Sequence, residues 1–142
     1  MREILFRGKR TDNGEWIEGY YAKQSNHACF AHELKYQHFI FKDVCLDFNL
    51  GGLQEFEIIP ETVGQFTGLT DKNGVKIFEG DIVTGYFNHE KIVGYIFYGG
   101  NAQFFIQRNG IYGIGLDNSD CWLEVIGNIH DKPELLEGGE GE

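Results

Sequence analysis

Apolar and polar positions along this chain change over in short runs, and glycine, asparagine and aspartate punctuate them. Short β-prone runs bounded by such residues predict strands joined by turns. Ile4–Phe6 and Trp16–Ala22 read as a first pair of strands, and between them lies Thr11-Asp12-Asn13-Gly14. Asn-Gly between two β-prone runs predicts a hairpin, because both residues tolerate positive φ. Residues 24–38 are polar and histidine-bearing, and read as a short helix or a long loop. Phe39–Phe48 reads as a strand that Leu50-Gly51-Gly52-Leu53 breaks. Phe56–Ile59 reads as a short strand, and Pro60-Glu61-Thr62-Val63 as a turn or a single helical turn.

The second half is denser. Asp71-Lys72-Asn73-Gly74 is again a turn between apolar runs, and Gly80-Asp81 is a tight turn feeding the strand Ile82–Phe87. Lys91–Tyr98, Ala102–Gln107 and Trp122–Ile129 are further strands, and Ile111–Leu116 can add another. Pro133–Leu136 makes one short helical turn. An internal echo runs through both halves. Phe6, Gly8, Thr11-Asp12, Asn13-Gly14, Ile17 and Glu18-Gly19 correspond to Phe66, Gly68, Thr70-Asp71, Asn73-Gly74, Ile77 and Glu79-Gly80. It reads as strand, Asn-Gly turn, strand, Glu-Gly turn, arising by duplication or by convergence on good turn chemistry. Closely spaced strands after residue 80 need their edges hidden, which predicts a small SH3-like barrel. Glycines 85, 94, 113, 115 and 127, inside apolar runs, mark bulges or bends. The expected fold is mainly β (β-rich α+β) with little helix: an N-terminal β lobe with a hairpin over 1–62, a C-terminal SH3-like β-barrel lobe over 63–137, and an acidic tail at 138–142.

Composition agrees. The 142 residues include 20 Gly, 12 Phe, 7 Tyr and 2 Trp but 2 Pro and 1 Met. Net charge is −10, which disfavours a generic phosphate binder. The one basic edge is Arg2, Arg7, Lys9 and Arg10, the low-ranked candidate contact for nucleic acid. Three widely spaced cysteines, Cys29, Cys45 and Cys121, do not make a secreted disulfide framework. The N-terminus resembles neither a signal peptide nor a membrane anchor. A cytoplasmic protein in a bacterial host cell is expected, without membrane contact.

Pro60-Glu61-Thr62-Val63-Gly64-Gln65-Phe66-Thr67-Gly68-Leu69, then Asp71-Lys72-Asn73-Gly74 and Ile77-Phe78-Glu79-Gly80-Asp81-Ile82-Val83, resembles the signature of the YopX family of phage and prophage proteins. Arg2-Glu3-Ile4-Leu5-Phe6-Arg7 resembles the family's opening. Val125-Ile126-Gly127-Asn128-Ile129-His130 with Pro133-Glu134-Leu135-Leu136 resembles its C-terminal signature. Residues 23–56 match nothing in that pattern. The resemblance implies a small phage- or prophage-encoded protein that self-assembles into oligomers. It carries no established activity, so no catalytic residue transfers.

Candidate chemistry in the residues themselves is thin. His27, Cys29, His32, His38 and Cys45 offer imidazole and thiol ligands, but their spacing is not that of a structural zinc site, and a polar loop with buried cysteines is the expectation. A Cys-His nucleophilic pair lacks an accompanying motif. Asp71, Asn73, Glu79 and Asp81 fail as a calcium loop, since Val75 and Ile82 stand where ligands are needed. They read as turn residues, with Asn13, Gly14, Asn73, Gly74, Gly80 and Asp81 the structural turns. Glu57 and Glu61 read as surface charges, and no phosphate-binding glycine loop is present. The aromatics Phe39, Phe41, Tyr95, Phe97, Phe104 and Phe105 are the expected interface or core surplus. Phe104 and Phe105 are adjacent and so face opposite sides of a strand. The reading is therefore no enzyme and no cofactor, but a self-associating protein-binding module that engages its own copies or a host or phage protein. A nucleic-acid-binding accessory protein, acting through the barrel and the basic segment, is the alternative.

Overall fold

The computed structural model describes residues 3–25, 36–47, 50–100, 102–108 and 111–138. Of the described residues 62% are strand and 10% helix, and the strands form two antiparallel sheets. Backbone contacts divide the chain into two units between Gln65 and Phe66.

In the first unit β1 (Phe6–Lys9) and β2 (Trp16–Ser25) form the expected hairpin, with Phe6 opposite Gly19 and Lys9 opposite Trp16. β3 (Tyr36–Asp47) pairs with β2, and β4 (Leu50–Glu57) pairs with β3. The run Leu50–Leu53 does not break a strand. Gly51 and Gly52 are paired against Cys45 and Val44, because the long β3 template holds them extended despite their low β propensity. β1 begins two residues later than the apolar run Ile4–Phe6 suggests, since the Asn-Gly turn fixes which residues can face Trp16–Gly19. Pro60–Thr62 is one turn of 3-10 helix. β5 (Gly64–Thr70) straddles the division: Gly64 and Gln65 pair with β1, while Phe66 and Thr70 pair with β6 (Lys76–Phe78). Ile17, Ile40 and Ile58 form the buried core here, with Phe6, Tyr21, Phe56 and Val63 packed around them.

The second unit holds a five-stranded sheet in the order β10 (Ile111–Gly115), β9 (Phe104–Arg108), β8 (Glu90–Tyr98), β7 (Asp81–Phe87), β11 (Glu124–Asn128). Among the described residues no pairing joins its two end strands, β10 and β11. Trp122 stands not in a strand but at the end of the helical turn α1 (Ser119–Trp122), where its ring covers Gly85. Two interior glycines sit at bulges, Gly113 in the register shift of β10 and Gly127 in that of β11. Gly85 and Gly94 allow close approach instead: a Cβ there would stand 2.5 Å from the Trp122 carbonyl oxygen and 2.6 Å from that of Gln107. The core gathers Ile77, Val83, Ile92, Ile96, Ile106 and Leu123. α2 (Glu134–Gly138) lies against β8.

Candidate functional site

Strand parity sorts the predicted residues onto faces. In the first unit Ile17, Tyr21, Ile40 and Phe56 share the core face. The opposite face carries Trp16, Glu18, Tyr20 and Ala22 from β2, Phe39, Phe41 and Asp43 from β3, and Leu53, Glu55 and Glu57 from β4, as the register places Tyr20 opposite Phe41 and Leu53 opposite Asp43. Phe39 and Phe41 lie together at 6.3 Å between ring centroids, both half-buried. Tyr20 and Leu53 are 61% and 60% exposed. Two predicted interface residues thus head a larger apolar patch.

The predicted basic edge is largely turned onto its own unit. The Arg7 guanidinium lies 4.7 Å and the Lys9 ammonium 5.7 Å from the centre of the Trp16 ring. Arg10 donates to both carboxylate oxygens of Asp12 and covers the Phe56 ring at 4.7 Å. Arg2 lies outside the described residues. The Arg10 side chain, by hydrogen bonding and charge, holds the Asp12 carboxyl below the usual carboxylate range.

His27, Cys29 and His32 lie outside the described residues, as does the side chain of Cys45. Among the described residues no group of three His, Cys, Asp or Glu side chains gathers around a common point. His38 serves the core face instead: its Nδ1 is 2.5 Å from the Tyr21 hydroxyl, with the rings stacked at 5.8 Å. Burial pushes the Tyr21 hydroxyl up. Glu57 accepts from the Gln37 amide, and Cys121 is an exposed thiol.

In the second unit Tyr95, Phe97 and Phe105 share the outer face, with Phe97 at 6.3 Å from Tyr95 and 5.6 Å from Phe105. Phe104 turns the other way and meets Tyr98 edge-on at 5.1 Å, so the adjacent pair does divide between faces. The acidic turn residues are occupied by backbone. Asp71 Oδ1 accepts from the N–H groups of Asn73 and Val75, and its Oδ2 from that of Val125. Asp81 Oδ2 accepts from the Phe78 N–H. Burial alone would raise the Asp71 carboxyl, but the donors of Val125, Val75 and Asn73, with Lys72 nearby, hold it below the ordinary value. Gly74 and Gly80 take φ of 80° and 91°, and Gly14 takes 72°, as their turns require.

One feature of this unit was missing from the candidate residues. A cleft of about 600 Å³ opens between the β7–β8 turn, the end of β9, β10 and α1, lined by Tyr86, Phe87, Arg108, Ile114, Asn118 and Trp122 among others. Phe87 and Trp122 lie 5.8 Å apart, and the Trp122 indole N–H donates to the Asp117 carbonyl. Arg108 Nε is buried without a hydrogen-bond partner. The signal available in the sequence was the aromatic pair Tyr86-Phe87 directly before a polar turn.

These features sit on a member of a known family: the chain belongs to the YopX family, whose model (YopX protein) matches residues 5–137. Among curated proteins none matches it. The crystal structure of protein EF1440 from Enterococcus faecalis is similar, with a TM-score of 0.55 and 25% identity over 96% of this chain and 99% of that one. Among the described residues no helix is long and apolar enough to cross a membrane.

Proposed function

We propose that this chain is a non-catalytic protein-binding module that self-associates, phage- or prophage-encoded and acting in the bacterial cytoplasm. The observation that carries this reading is the face of the first unit's sheet opposite its core, where Tyr20, Phe39, Phe41 and Leu53 form an apolar patch that this unit leaves accessible. Sheet faces of this kind are covered by a partner in soluble proteins. The patch is also bipolar. Arg7 and Lys9 flank it on β1, and Asp43, Glu55 and Glu57 flank it on β3 and β4. A two-fold axis along the strands sets the β1 side of the patch in one copy over its β4 side in the other and pairs cation with acid, so the patch is complementary to itself. The family resemblance, which implies oligomers, supports the same reading. The nucleic-acid alternative loses ground because the chain's net charge is −10 and Arg10 is already paired with Asp12.

Size-exclusion chromatography with light scattering tests this. The wild type is expected to run as a dimer or larger, and Tyr20→Asp with Leu53→Asp, at two exposed positions, to shift it toward monomer with an unchanged circular-dichroism spectrum. A wild type that stays monomeric at high concentration overturns the reading.

A further inference from the structure

We propose that the cleft of the second unit receives an extended peptide segment of a protein partner. The segment adds to the edge of β10, sets an acidic side chain on Arg108 and places an apolar side chain against Phe87 and Trp122. This rests on the protein-binding reading but uses a different surface.

Three observations converge. Among the described residues β10 is the end strand of its sheet, and its Gly113 and Gly115 are exposed. An end strand offers a row of main-chain donors and acceptors, which is how extended peptides are bound by strand addition. The cleft beside it continues the core: Ile114 is a core residue and Trp122 packs against the same cluster. An apolar side chain entering there joins an existing apolar cluster rather than a wet surface. Arg108, at the end of β9, lines this cleft with its Nε buried and unpartnered. A desolvated guanidinium nitrogen without an acceptor is costly, and a carboxylate with its fork geometry relieves that cost. Tyr86, 71% exposed, and the exposed Asn118 stand at the mouth and can seat the peptide flank. Arg108 supplies the charge selection, and the exposed Asp117 nearby disfavours a second acid.

Panning a phage-displayed library of random peptides on the full chain tests this. The expected result is a consensus with one acidic residue near an aromatic or aliphatic one. A synthetic peptide of that consensus should bind Arg108→Glu at least roughly tenfold more weakly than wild type by calorimetry. Panning on Arg108→Glu should exchange the acid for Lys or Arg. If that variant loses its circular-dichroism spectrum, Tyr86→Ser serves, and weakened binding again supports the site. No enrichment, a consensus without an acid, or affinity unchanged by the substitution overturns the proposal. Light scattering on the first unit's face is read separately, so failure here leaves self-association standing.

Discussion

The two Asn-Gly hairpins begin from nearly the same letters and reach opposite ends of the energy scale. In the first, Thr11-Asp12-Asn13-Gly14, the acid points to solvent and pairs with Arg10, and Asn13 Oδ1 accepts from the Glu15 N–H at 2.9 Å. The Thr11 N–H and hydroxyl both donate to the Glu57 carbonyl, and these exposed contacts tie that turn to β4. In the second, Lys72 separates the acid from Asn73-Gly74, and the acid turns inward. Asp71 is 2% exposed and binds three backbone N–H groups, one of them from β11, 54 residues away. The Lys72 N–H on the Leu123 carbonyl and the Ser119 hydroxyl on the Thr70 carbonyl join the same turn to α1 and its end. One carboxylate decorates a turn, and the other holds together strands remote in sequence. A turn motif fixes local geometry, but where its side chains point decides what it is worth.

The largest effect expected from breaking this contrast is at Asp71. Asp71→Ala removes the shared acceptor of three part-buried backbone donors and should cost roughly 2–3 kcal/mol, read from urea unfolding. Next comes Gly85→Ala, where the new methyl meets Trp122 backbone and ring; about 1–3 kcal/mol is expected, together with an altered Trp122 fluorescence. The pH dependence follows from Asp71. Its folded pKa is depressed, so its contribution is present above the unfolded value of about 3.9 and is lost as pH falls through the folded one. The stability gap between wild type and Asp71→Asn should therefore be widest near neutral pH and shrink steadily below about pH 4. Gly14→Ala and Gly74→Ala should cost about the same as each other, roughly 1 kcal/mol, because both positions have positive φ and open space around them. The smallest effect is at Asp12: Asp12→Ala should leave the unfolding midpoint within experimental scatter, since its ion pair is exposed.

Most strands were legible because their turns announce themselves. Asn13-Gly14, Asn73-Gly74 and the 3-10 turn at Pro60 fall where expected, and β7 and β8 match their apolar runs to within a residue. The echo fails at Gly19, which lies in mid-β2 rather than in a turn, its backbone against the Phe41 carbonyl, whereas Gly80 does turn. Glu-Gly is a turn only when no partner strand pulls it straight. Of the surfaces, parity within one strand exposed the pairing of Phe39 with Phe41 and the split of Phe104 from Phe105. The cleft was hidden because Phe87, Arg108 and Trp122 come from three elements that only the sheet order brings together.

The patch on the first unit carries the functional account, and hydroxyl-radical labelling read by mass spectrometry addresses it residue by residue. Labelling at low and at high protein concentration is compared at Tyr20, Phe41 and Leu53, with the exposed Tyr86 of the second unit as internal reference. The account expects the three to become protected as concentration rises while Tyr86 does not change. Equal labelling of Tyr20, Phe41 and Leu53 at both concentrations would contradict it.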